Sequence, residues 1–241
     1  MTSRQAQPQP DRLGGEWYAE FERMLRTLNQ KVTRNRDRDL AGFKPHCGDR
    51  YDEDRVVVVG IATNGWEPKF KIGDEYTEAS KKIHEPARLD PHALHGPACW
   101  VQTSRFWQLI RSVVCARCRV SEGGEWITRI CWNNLAKIAP ADGGNPGGVL
   151  WREEVDHCRK LLEIEIDALQ PRTILVLTGR RWYGEFADVL GEPEPGTEGK
   201  EFVLGVSSSD RRIHIFCEHP RSYGWRKPAE EILDAWKKYR N

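Results

Sequence analysis

Val56-Val57-Val58-Val59-Gly60-Ile61 is an unbroken apolar run of mostly β-branched residues. An amphipathic helix or a half-exposed strand would interrupt such a run with polar residues. A continuous one fits a strand covered on both faces, as in a parallel sheet packed between helices. Trp126-Ile127-Thr128-Arg129-Ile130-Cys131-Trp132, ending at Asn133-Asn134, reads as a second strand. Thr173-Ile174-Leu175-Val176-Leu177-Thr178, closed by Gly179, reads as a third, and two more are predicted around Glu201–Val206 and Arg212–Phe216. Helical spacing lies between them: Trp17, Phe21, Leu25, Leu28 and Val32; then Phe106, Leu109, Ile110, Val113 and Val114; then Val155, Cys158, Leu162, Ile166 and Leu169, stopped before Pro171. A short helix runs through Leu190, and Pro228 opens a last one that turns Ile232, Leu233, Trp236 and Tyr239 inward. This alternation predicts an α/β fold, a three-layer α/β/α sandwich with a central, mainly parallel four-stranded sheet and right-handed crossovers.

Residues 1–12 are polar and Pro/Gln-rich and read as a disordered tail, leaving 13–241 as a single domain. The segment 41–55 is loop-like, 62–100 is a long connection rich in Gly, Pro and His, and 141–148 and 191–200 are further loops. The net charge of +1 excludes a polycation, so any nucleic-acid binding rests on a local patch. Residues 211–241 offer one, with eight Lys/Arg against four acids. The 10 Trp are many for 241 residues, so some suit a binding surface as well as the core. No apolar run approaches the ~20 residues that cross a bilayer, and no signal-peptide core is present; a cytoplasmic monomer is expected.

Seven cysteines, an odd number, then read as reduced thiols. Cys115 and Cys118 form a CxxC, but on an amphipathic helix, and Cys47, Cys99 and Cys131 complete no regular pattern. His84, His92 and His95 share the long loop with Asp90, yet Pro86, Pro91 and Pro97 exclude the helix that a metal-binding His pair normally rides. No metal or cofactor is expected.

Polar or turn residues follow four strand ends: Gly60–Glu67, Asn133-Asn134, Gly179–Arg181 and His219–Tyr223. In an open α/β sheet, ligands bind in the crevice beyond the carboxyl ends of the strands, so these distant segments are expected to converge there.

The ordered series VVVVGIATNGW, ICWNNLAKI, RTILVLTG and HIFCEHPRS, from about Val56 to Trp225, resembles the uracil-DNA glycosylase superfamily. The resemblance implies DNA as partner and hydrolysis of the N-glycosidic bond of a flipped-out damaged or modified base, such as a modified pyrimidine, leaving an abasic site. It assigns Asn134 to reading the base edge, with Asn133 as its structural neighbour, since an amide donates and accepts together. His219 would steady negative charge on the departing base. Gly60, Ala62, Thr63 and Trp66 would line the substrate pocket. Pro220-Arg221-Ser222 would meet phosphates, Tyr223 or Trp225 would wedge or stack where the base leaves, and Arg180 would join the DNA surface. Where the family places Asp, Asn or Glu just after the strand-ending Gly, this chain has Ile61 and Ala62. The nearest groups able to orient water or support the sugar cation are Asn64 and Glu67. No Lys is evident as a Schiff-base nucleophile, so the enzyme would be monofunctional. A glycosylase-like module that binds nucleic acid or a modified base with weak or no catalysis is the alternative. An unrelated α/β enzyme of nucleotides or small phosphate esters is a third.

Overall fold

A computed structural model of the chain describes residues 12–32, 38–62, 69–72, 103–121, 123, 125–209 and 211–239. Its main sheet is built on β3 (Val56–Gly60), whose five residues are all buried. Parallel neighbours are β5 (Ile130–Asn134) on one side and β7 (Thr173–Leu177) on the other, with β9 (Ile213–Cys217) parallel to β7. Two antiparallel edges, β2 (His46–Cys47) and β8 (Val203–Ser208), complete the order β2-β5-β3-β7-β9-β8. The expected four-stranded sheet is therefore six-stranded. The four parallel strands are its centre, and β2 is too short to show any periodicity in sequence.

Alternate residues of β3 serve opposite cores. Val57 and Val59 pack with Trp17, Phe21 and Leu28 of α1 (Gly14–Lys31) and with Leu161 and Leu162 of α5 (Gly148–Leu169). Val56 and Val58 pack with Leu109, Ile110 and Val113 of α3 (Arg105–Cys118) and with Ile232 and Trp236 of α8 (Arg226–Lys238). A run of four valines follows directly: neither face meets water, and each buried side chain contributes roughly 1.5–3 kcal/mol over exposure. Helix α8 begins two residues before Pro228, which fits its first turn because no amide hydrogen bond is lost there.

Several local expectations are corrected. The loop-like segment 41–55 holds most of β1 (Leu40–Gly42), β2, and a helical turn, α2 (Tyr51–Asp54). The long connection 62–100 contributes β4 (Lys69–Phe70), which joins β1 and β6 (Ile138–Pro140) in a small antiparallel sheet, order β4-β1-β6. Trp126 and Ile127 belong to a helical turn, α4 (Glu125–Thr128), not to the second strand. Both are buried, so apolarity there records packing and not an extended backbone. Cys47 and Cys131 form a disulfide, which corrects the reading of seven reduced thiols. They lie directly opposite each other in the β2–β5 pair, with Cα atoms 3.9 Å apart, although 84 residues separate them in sequence. Arg12, assigned to the tail, makes a bidentate pair with Asp52 at 2.8 and 2.6 Å. Among the described residues no helix is long and apolar enough to cross a membrane.

Candidate active site

Numbered along the chain, the four parallel strands lie in the order 2-1-3-4, and sheet growth reverses between β3 and β7. At such a reversal the helices that follow the two strands leave toward opposite faces, which is where open α/β sheets form their ligand crevice, beyond the carboxyl ends. The hydrogen bonding records the opening. The β3–β7 register runs to Val59 opposite Val176. Beyond it, β3 stays with β5: Gly60 faces Asn134, and the amides of Leu135 and Ala136 donate to Gly60 and Ile61. β7 stays with β9: Leu177 faces Cys217, and the Gly179 amide donates to the Cys217 carbonyl at 3.0 Å. The sheet thus parts between Gly60-Ile61-Ala62 and Thr178-Gly179.

Asn134 flanks one side. It is 1% exposed, yet its Nδ2 amide has no hydrogen-bond partner among the described residues. A buried donor left unmade costs about 1–3 kcal/mol, which is the kind of debt a ligand can settle. Its Oδ1 leans over Gly60: a Cβ built on Gly60 would lie 2.6 Å from that oxygen and 3.4 Å from the Phe106 ring. Gly60 is glycine because the Asn134 amide occupies that space. Half-buried Phe106, at the start of α3, adds an aromatic surface beside it.

His219 follows β9 on the other side. Asn134 closes β5 and His219 lies two residues past the end of β9, strands three steps apart, about 14 Å between strand backbones at roughly 4.8 Å per step. The Arg221 amide donates to His219 Nδ1 at 3.2 Å, so the ring proton sits on Nε2, which is left as a donor. Burial first, and the Arg221 charge second, hold the imidazole below its ordinary range, so at neutral pH it is uncharged. The turn Pro220–Ser222 packs against α3, whose Arg105 donates to the Arg221 carbonyl at 2.7 Å. Arg221 and Arg180 are both exposed. Half-buried Tyr223 packs edge-on against Phe202 with centroids 5.2 Å apart.

Gly179 has a φ of +78°, a left-handed conformation, and a Cβ there would lie 3.1 Å from Glu218 Oε2. The Glu218 carboxylate therefore hangs over the β7 turn, at the rim of the crevice.

Beneath Asn134 lies a fully buried polar network. Lys137 Nζ donates at 2.7 Å to Asn133 Oδ1, to the Asn134 carbonyl and to Glu165 Oε2. Glu165 also accepts from Trp17 Nε1 at 2.7 Å and from Asn133 Nδ2 at 2.8 Å. Asn133 thus points away from the crevice, into the core. Glu154, about three turns before Glu165 on the same side of α5, is 0% exposed, and burial pushes its carboxyl well above the usual range.

The structure brings Gly60, Ala62, Asn134, His219, Arg180 and Arg221 to the strand ends, and assigns Asn133 and Tyr223 structural contacts. Thr63, Asn64, Trp66 and Glu67 lie outside the described residues, as does the Ser222 side chain. Phe106, Arg105 and Glu218 went unassigned in sequence: the first two read as an ordinary helix start, and Glu218 as the residue before a His-Pro turn. Among the described residues no group of three or more His, Cys, Asp or Glu is disposed to hold a metal ion. No family model matches the chain, and no curated protein matches it.

Proposed function

We propose that the chain is a monofunctional DNA glycosylase on a three-layer α/β/α scaffold, acting as a monomer on a flipped-out damaged or modified base. What supports this reading is a buried amide without a partner, Asn134, and an imidazole with an Nε2 donor, His219, both following parallel strands of one sheet at their carboxyl ends. An amide that both donates and accepts suits a nucleobase edge, and a ring with no such edge would leave it unsatisfied.

In the reaction, the C1′–N bond breaks with its electron pair leaving on the base, and the sugar becomes oxocarbenium-like. Nε2–H of His219 donates to the base oxygen that gains charge, a stabilisation available without burying an ion. Water then adds to C1′ and releases a proton. Its acceptor is a carboxylate, Glu67 or Glu218, and Asn64 can orient the water through its amide. Exposed Arg180 and Arg221 would hold phosphates on either side.

The apolar Ile61, where the resemblance leads to an expected acid or amide just after the strand-ending Gly, favours a second reading: a glycosylase-like module that holds a base without cleaving it. One experiment addresses both. The protein is incubated in excess over oligonucleotides that carry different modified bases, and abasic sites and binding are measured together. Base release that falls about 10²-fold in separate Asn64→Ala, Glu67→Ala or Glu218→Gln variants identifies the group supporting the cation. Binding without release from any DNA selects the second reading, and neither binding nor release rejects both.

A further inference from the structure

The Lys137–Glu165 pair has no part in the chemistry above, yet it is an ion pair wholly shut away from water. Both side chains are 0% exposed. Removing two charges from water costs more than a good contact usually returns, and apolar replacements of similar volume are often neutral or stabilising. Stability alone does not account for the pair. Its geometry does.

Asn134 is held at both ends of its backbone. Its N–H donates to Asn133 Oδ1 at 2.7 Å, and its carbonyl accepts from Lys137 Nζ at 2.7 Å. The three donors of the Lys137 ammonium are all used, on Asn133 Oδ1, the Asn134 carbonyl and Glu165 Oε2. Glu165 fixes the lysine from α5, and Trp17 fixes Glu165 from α1. After Asn134 the chain leaves the sheet through Leu135 and Ala136, and the lysine side chain doubles back beneath it. Two helices and a strand thus converge on one residue, whose own side-chain amide is left open.

Resting on the reading that Asn134 contacts the base, we propose that Lys137 and Glu165 are positioning residues that set base selectivity by clamping the Asn134 backbone from below. A loosened clamp lets the Asn134 amide swing or invert, and discrimination between base edges falls while affinity for the DNA backbone is kept.

The test uses the full-length protein. Lys137→Met alone leaves Glu165 buried without its cation and is expected to unfold the chain, so the informative variant is the paired Lys137→Met/Glu165→Leu. Its thermal midpoint is expected to stay near wild type. Hydrogen exchange at the Asn134 amide should accelerate at least tenfold, with the Val57 and Val58 amides of β3 unchanged. Binding of short single-stranded oligonucleotides carrying one central uracil, cytosine or thymine should lose most of the wild-type discrimination, with similar affinity for an unmodified strand of the same length. Unchanged Asn134 exchange in the paired variant overturns the clamp. If Asn134→Ala loses discrimination but the paired variant keeps it, the positioning role is also overturned. If Asn134→Ala discriminates as wild type does, or wild type does not discriminate at all, the base-reading role itself fails and the exchange result still judges the clamp. Should the paired variant not fold, Trp17→Phe, which removes only the outermost donor, is read in the same way with a smaller expected change.

Discussion

Asn134 Oδ1 lies 2.6 Å from the position a Cβ would take on Gly60, the residue opposite it in the β3–β5 register. The Gly60 backbone is fixed in its strand, so the clash falls on the Asn134 side chain, which is 1% exposed and has little room to move. Gly60→Ala should therefore displace the Asn134 amide, costing about 1–3 kcal/mol of stability and a larger share of function. Thermal melts alongside base binding measure both. Wild-type discrimination in a folded Gly60→Ala protein would mean that the amide is not where a base is read.

His219 should support activity as the neutral ring. Its folded pKa is depressed, so between the folded value and the ordinary ~6.5 the unfolded chain binds the proton and the native ring does not. Falling pH thus costs stability through this window. The acid limb of a single-turnover pH profile should lie below pH ~6.5. His219→Ala should reduce base release about 10²–10³-fold with a far smaller effect on DNA affinity, and an acid limb above pH ~7 would contradict the neutral assignment.

Arg221 anchors its loop through backbone atoms, the amide to His219 and the carbonyl to Arg105, and leaves its side chain exposed. Arg221→Ala should accordingly spare the fold. DNA affinity should weaken across all sequences, and the slope of log K against log salt should fall by about one. A fluorescence-anisotropy titration at several salt concentrations that shows neither change would remove the guanidinium from the phosphate surface.

Glu154 is buried as the neutral acid, its carboxyl raised chiefly by desolvation and only partly offset by the Ile138 amide and Lys137. The sign follows from proton counting. Above the ordinary carboxyl range the unfolded chain has released this proton and the native one has not, so stability falls as pH rises through that window. Glu154→Gln has no such proton to lose. Its urea midpoint should gain on wild type steadily above pH ~4.5, by up to about 1.4 kcal/mol per pH unit. A constant difference across pH would show that Glu154 titrates normally.

What the sequence determined by itself is the set of elements whose burial repeats along the chain. Val56–Gly60 and Thr173–Leu177 announce themselves because strands covered on both faces leave no polar interruptions, and α5 does so through its regular apolar spacing. The parallel core, and the placing of Asn134 and His219 at the carboxyl ends of its strands, follow from that alternation of strands and helices. Periodicity, however, reports how deeply a residue is buried and not what it touches. Trp126 and Ile127 are as apolar as a strand demands, yet they sit in a helical turn. Lys137 and Glu165, 28 residues apart, carry charges that read as surface and are instead wholly inside. The Cys47–Cys131 bond, the open β3–β7 gap and the Glu218 carboxylate over Gly179 likewise depend on register and crossover, which pair residues distant in sequence. Only the tertiary structure decides those contacts, because the free energy of a buried charge or an unmade hydrogen bond is set by its partners in space.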